Sequence, residues 1–240
     1  MTGRTSSPRP GSGEMFDRIA PRYDLLNRLL SLGIDRGWRR STVAVLRLPP
    51  RARVLDLATG TGDLALEICR RHPDARVLGL DPARRMLDLA RRKARRAGLA
   101  GRLALVPGIA EALPVRDRCL DGLTIAFGIR NVPDRPAALR EMARVLRPGA
   151  RAAILELGEP RRGLLAPVAR TWVRGVLPRV GGLLSGSDAY AYLADSMRAF
   201  PAPEAFAGLM EEAGLRVIET RSLALGVATL FVGTPREVGP

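Results

Sequence analysis

The chain is poor in the residues that most often do chemistry or bind metal. Its 240 residues include one histidine, His72, and two cysteines, Cys69 and Cys119. The cysteines share no metal-ligand or redox spacing, so they read as reduced core thiols of a cytosolic protein, and no metal is expected. His72 stands in Arg-His-Pro at a predicted helix end and reads as a surface residue, which leaves no histidine base. No run of about 18 uncharged apolar residues occurs, so no transmembrane helix is expected. Residues 1–13 are rich in Ser, Pro and Gly and lack an apolar stretch. They read as a disordered tail, not a secretory signal. No internal repeat is visible.

Lysine is almost missing as well. Lys93 is the one lysine among 39 lysines and arginines, in a chain of formal net charge +15. That bias suggests a GC-rich genome writing arginine wherever a solvated cation will do. The densest basic block, Arg84 to Arg102, falls on a predicted helix and the turn after it. Aromatics do not interleave there, as a base-stacking platform would need. The block therefore reads as a solvated helix face, with contact to an anionic membrane surface as the further expectation and nucleic acid excluded. The expected location is cytoplasmic, peripheral to the inner face of the cell membrane.

What is present is a regular alternation. Strands are expected at Arg53–Leu57, Arg76–Leu80, Leu103–Val106, Gly122–Ala126 and Ala152–Leu157, with final strands at Leu215–Thr220 and Val227–Val232. Helices are expected at Leu64–Arg71, Arg84–Ala97, Pro136–Leu146 and Ala205–Ala213. Such alternation implies an α/β fold, a mostly parallel seven-stranded sheet with helices on both faces. With 46% hydrophobic residues the chain can bury a sizeable core. One domain is expected over 14–240, with a helical cap at 14–50 and a helical lid insert at 163–200. Leu164, Leu165, Val168, Trp172, Val176 and Leu177 could form one apolar face of that insert.

The densest signal is Val54-Leu-Asp-Leu-Ala-Thr-Gly-Thr-Gly-Asp63. A buried strand ends in two glycines spaced by one, which permit positive φ and close approach to a ligand at a helix N-terminus. Dinucleotides and S-adenosylmethionine both suit such a turn. Ala65 stands where a dinucleotide loop wants a third glycine, and G-K-[ST] of an NTP-binding loop is absent. Asp81, at the end of strand two, can accept from ribose hydroxyls in either class.

Later motifs separate the two. Asp56-Leu-Ala-Thr-Gly-Thr-Gly-Asp63, Asp81-Pro-Ala-Arg-Arg-Met-Leu87 and Ala110-Glu-Ala-Leu-Pro114 resemble successive motifs of the class I S-adenosylmethionine-dependent methyltransferases. Tyr23-Asp-Leu-Leu-Asn27, Phe127-Gly-Ile-Arg-Asn-Val132, Arg144-Val-Leu-Arg-Pro-Gly149 and Asp188-Ala-Tyr-Ala-Tyr192 resemble the demethylmenaquinone and ubiquinone-precursor C-methyltransferases. The likeness runs from about Met15 to Gly233, in order. It implies S-adenosylmethionine held by Asp56, Gly60, Thr61, Gly62, Asp81, Ile109, Ala110 and Ala126. It implies methyl transfer to a ring carbon of a polyprenylated quinol, with demethylmenaquinol first. Arg130, Asn131, Tyr23 and Asp24 become the candidate catalytic residues, and a homodimer is left open.

This chain departs from the pattern at Ile109, where the family usually has Asn or Asp, and at Ala126 and Gly158, where serine is common. Asp35 replaces a signature histidine, while Trp38 is kept. These departures keep open a small-molecule methyltransferase of secondary metabolism, or a non-catalytic module binding the cofactor or a lipid. Chemically, a quinol carbon becomes nucleophilic once the adjacent hydroxyl loses its proton, and a phenol's pKa is about 10. Arginine stays protonated above about pH 12 and is a poor base. The expectation is that Arg130 stabilises the phenolate electrostatically while water or Asp24 takes the proton. Arg130 salt-bridged within a structural turn is the competing reading, and Glu156 is a candidate partner.

Overall fold

The computed structural model describes residues 16, 17, 20, 33–158 and 195–236. Seven strands form one sheet: β1 Arg53–Leu57, β2 Arg76–Asp81, β3 Leu103–Pro107, β4 Leu120–Ala126, β5 Leu146–Leu157, β6 Leu215–Leu223 and β7 Ala228–Pro235. Their order is β3-β2-β1-β4-β5-β7-β6. The first five are parallel, and β7 enters antiparallel between β5 and β6. The mostly parallel sheet read from the alternation is what is found.

The helices are α1 Asp35–Ala44, α2 Asp63–Arg71, α3 Arg84–Arg96, α4 Arg135–Val145 and α5 Pro203–Glu212. Right-handed crossovers decide their faces. The chain winds from β1 to β3 in one direction, then returns through β4 and β5 in the other, so α2 and α3 cover one face and α4 the opposite one. Two buried clusters record this. Val54, Val77, Leu155 and Val232 pack with Trp38 of α1 and Leu64 and Ile68 of α2. Leu55, Leu57, Leu123, Ile125 and Phe231 pack with Leu139 and Met142 of α4 and Phe206 of α5. Alternate residues of each strand thus supply the two clusters, as the period of two requires. The rings of Phe200, Phe206 and Phe231 follow one another with centroids 4.9 Å apart, the first pair tilted and the second edge-on.

Element bounds differ from expectation mainly at β5, which starts at Leu146 and not Ala152. Leu146 pairs with Leu120, but the register shifts before Gly122 pairs with Arg151. Pro148 has no N–H to give a ladder, and Gly149 has φ +76°. The extra residues leave the ladder as an irregularity, which the Pro-Gly pair hid as a helix stop. In the expected cap, α1 is the described helix. The lid insert expected at 163–200 lies outside the described residues up to 194.

β1 is flanked by β2 on one side and β4 on the other. There the chain reverses its direction of winding, and a crevice opens beyond the carboxyl ends of those strands, where open α/β sheets bind ligands.

Candidate active site

The loop after β1 is left-handed at three positions: Ala58 (φ +47°), Gly60 (+55°) and Gly62 (+82°). Gly62 has a second constraint, because a Cβ there would stand 2.9 Å from Cβ of Ala90 on α3. The loop is held from below by Asp56, which is 1% exposed. Asp56 accepts from the hydroxyls of Thr59 at 2.6 Å and of Thr124 at 2.7 Å. Burial pushes its carboxyl up to about 6, against the lowering effect of those two hydroxyls.

Asp81, at the end of β2, ties the loop to the neighbouring strand. Its carboxylate accepts from Gly60 N and from Ala83 N, both at 2.8 Å. Burial raises it to about 6 against the two backbone donors. Gly60 and Asp81 share a cavity with Ile109, Ala110, Ala126, Phe127 and Asn131. A second, smaller cavity meets it at Ala58, Gly60, Ala126 and Phe127 and continues to Asp56, Thr61, Asp63 and Arg39. Ile109 is 50% exposed on the cavity wall, offering an apolar surface and no acceptor.

All the expected cofactor residues but Gly62 therefore line one of the two joined cavities, and Gly62 shapes the loop between them. The donor set suits S-adenosylmethionine: a buried carboxylate for a ribose, an apolar wall for adenine, and a glycine loop at the start of α2 for the amino-acid end. Gly62 instead sets how the loop packs, since it lies against α3 with no room for a side chain.

The turn after β4 behaves differently from expectation. Phe127 is left-handed (φ +58°), and Ile129–Asn131 makes one 3-10 turn. Asn131 lines the larger cavity, as expected. Arg130 does not; it is 9% exposed and turns inward beneath the turn. Its Nη1 donates to Phe127 O at 2.8 Å and to the carboxylate of Glu156 at the end of β5. Its backbone N–H donates to the same carboxylate at 3.1 Å. Of these two candidate catalytic residues, Asn131 alone lines the cavity. Arg130 takes the paired arrangement because a lone buried guanidinium is costly and Glu156, 1% exposed, is at hand. Its Nε is buried with no hydrogen-bond partner among the described residues. Arg135 completes the turn by donating to the carbonyls of Ile129 and Arg130.

Trp38 of α1 backs Phe127, with ring centroids 6.2 Å apart. Asp35, in place of a histidine, is buried and pairs with Arg39. His72 follows α2 at the end away from the loop. Gly158 follows β5, its N–H bonded to Val227 O at 3.0 Å. Tyr23, Asp24, Tyr190 and Tyr192 lie outside the described residues. Asp63 closes the glycine-loop motif, but Arg39 and Lys93, which form a charged group with it around the loop, were not reached by motif reading. The lysine's singularity in the composition was the one signal pointing to them.

The ubiE/COQ5 methyltransferase family model matches residues 5–235. A relative from Syntrophotalea carbinolica, named ubiquinone/menaquinone biosynthesis C-methyltransferase UbiE, is 50% identical over 227 residues, 94% of this chain and 95% of that protein. One from Thermus thermophilus, named demethylmenaquinone methyltransferase, is 50% identical over 220 residues, 91% of this chain and 99% of that protein. A solved SAM-dependent methyltransferase from Aquifex aeolicus superposes with a TM-score of 0.60 at 17% identity, covering 81% of this chain and 88% of that one. At that identity the last likeness shows the fold alone.

Proposed function

This chain belongs to the ubiE/COQ5 methyltransferase family, and from that premise we propose that it is an S-adenosylmethionine-dependent C-methyltransferase of quinone biosynthesis. The proposed acceptor is a polyprenylated quinol, with demethylmenaquinol favoured. The observation that carries the reading is the meeting of the glycine loop, Asp81 and Asn131 on one cavity at the switch point of the sheet. The relatives named for this reaction match the chain over nine-tenths of its length.

Bound at this site, S-adenosylmethionine would supply an electrophilic sulfonium methyl, which the acceptor's ring carbon would take as the S–CH3 bond breaks, losing its own proton in turn. The residues of this chain do the rest. Asp81 accepts from the ribose hydroxyls, Ile109 and Ala110 pack on the adenine, and Gly60, Thr61 and Gly62 cradle the amino-acid end. Asp56 holds the loop from beneath, and Ala126 and Phe127 form the floor where the two cavities join.

Asn131 faces the acceptor and orients its oxygen. Arg130 acts on that oxygen indirectly, because its side chain holds the Phe127 carbonyl and its backbone N–H holds Glu156, which fixes the turn that carries Asn131. Its pairing with Glu156 weakens its long-range field, so its contribution is the placing of the turn more than net charge. Water or Asp24 takes the proton, and Tyr23 is the remaining candidate catalytic residue.

Among the described residues no helix is long and apolar enough to cross a membrane. The proposed membrane contact is peripheral, made by arginines such as Arg84, Arg85, Arg92, Arg95 and Arg96, all exposed on α3. Flotation with liposomes of varied phosphatidylglycerol content reads this, and binding indifferent to anionic lipid would count against it.

The deciding experiment incubates the protein with labelled S-adenosylmethionine and short-chain demethylmenaquinol or its benzoquinol analogue. Mass spectrometry should show a gain of one CH2 on the naphthoquinol. Tight cofactor binding without methyl transfer to any quinol would instead favour a binding module. In the same assay Arg130→Lys keeps the charge and loses the planar fork. Turnover equal to wild type would remove Arg130 from the mechanism.

A further inference from the structure

Lys93 is the chain's single lysine, and its ammonium ends in the glycine loop. It reaches there from α3, donating to Thr61 Oγ1 at 2.9 Å and to Asp63 Oδ1 at 2.6 Å. Thr61 is 3% exposed, and the Lys93 side chain is 26% exposed. One turn earlier on α3, Ala90 meets Gly62, the residue between Thr61 and Asp63. The other oxygen of Asp63 lies 3.6 Å from Nη1 of Arg39 on α1. A carboxylate on the first turn of α2 is therefore shared by cations from two other helices. Arg39, Thr61 and Asp63 all line the smaller cavity.

Elsewhere this chain uses arginine as its cation. A guanidinium is planar and wide, whereas an ammonium is a compact charge with three donors set tetrahedrally. With Ala90 holding α3 against Gly62, the gap between Thr61 and Asp63 suits the compact group. A threonine oxygen that accepts from Nζ must also aim its own hydrogen elsewhere, so the lysine selects among the hydroxyl's orientations.

We propose that Lys93 is a positioning residue for the amino-acid end of S-adenosylmethionine, holding Thr61 and Asp63 so that the glycine loop keeps its binding geometry. Arg39 braces the same carboxylate from the cap side. This inference rests on the cofactor reading above.

The test is isothermal titration of wild type, Lys93→Met and Lys93→Arg with S-adenosylhomocysteine and with 5′-methylthioadenosine, which lacks the amino-acid end. Loss of charge-assisted hydrogen bonds should weaken S-adenosylhomocysteine binding by about tenfold or more in Lys93→Met and by about threefold or more in Lys93→Arg, while methylthioadenosine stays within about twofold. Lys93→Met should add little to an Asp63→Asn background, because both remove one contact. Two results overturn the proposal: unchanged S-adenosylhomocysteine affinity in both variants, or an equal loss for both ligands, which marks general loosening. A wild-type protein that binds neither ligand overturns the cofactor reading and this inference with it.

Discussion

The guanidinium of Arg130 and the carboxylate of Glu156 form a buried ion pair beneath the turn that carries Asn131. Arg130 lies in the turn after β4 and Glu156 at the end of β5, and the same carboxylate also accepts from the N–H groups of Arg130 and Leu157. One acid therefore fixes both the charge and the backbone of the turn.

Breaking that pair from one side should be costly. Glu156→Gln keeps the shape but leaves the guanidinium buried without its counter-charge, and should lower unfolding free energy by about 3 kcal/mol. The double variant Arg130→Met, Glu156→Gln removes both charges and should lie closer to wild type than Glu156→Gln alone. Urea denaturation of the three proteins reads the difference, and a double variant worse than the single would contradict the account.

Cofactor affinity should depend on pH through Asp81. Its carboxyl is raised to about 6 by burial, with Asp17 pushing in the same direction. Accepting from ribose hydroxyls favours the ionised form, so binding is full above this value and weakens as pH falls through it. At pH 5 the affinity for S-adenosylhomocysteine should be about tenfold lower than at pH 7. Asp81→Asn should bind weakly with little change between these values. A wild-type affinity flat from pH 5 to 7 would show that Asp81 does not carry the ribose.

Gly128 should resist a methyl group for want of space alone. Its φ is −117°, ordinary for any residue. A Cβ there, however, would stand 2.5 Å from Cβ of Ala58. Gly128→Ala should cost about 1–3 kcal/mol through overpacking. Ala58→Gly should recover most of that cost, because it removes the clashing atom and suits the φ of +47° at position 58. Thermal melts of the two single variants and the double check the pairing.

Ile109 tests the placement of adenine. It stands half exposed on the cavity wall, where an asparagine could accept from the adenine amino group. Ile109→Asn should tighten S-adenosylmethionine by about fivefold, the effect of a net hydrogen bond of about 1 kcal/mol. Weaker binding in the variant would mean that packing by the isoleucine matters more than the missing acceptor.

Most strands and helices were legible because their signals are local. β1 shows as Arg53–Leu57 through an apolar run that meets glycines, and α3 through Met86, Leu87, Ala90 and Ala94, a buried stripe at helical spacing among arginines. The glycine loop and Asp81 were legible for the same reason, each standing at a strand end that the alternation already marks, while Ile109 was reached through the family resemblance. The start of β5 was missed because Pro148-Gly149 has the same local chemistry in a helix stop and in an irregular strand.

The orientation of Arg130 was not legible. Nothing within its turn distinguishes a guanidinium facing substrate from one turned inward, and the choice depends on Glu156, 26 residues away. Lys93 and Asp63 are 30 residues apart and meet because α2 and α3 lie on the same face of the sheet. By itself, the sequence determined the alternation of elements, the mostly parallel sheet and the glycine turn that a ligand meets, since periodicity and turn chemistry act over a few residues. Tertiary structure alone decided which charges face each other in that crevice, since ion partners are chosen by burial and proximity after the crossovers have packed.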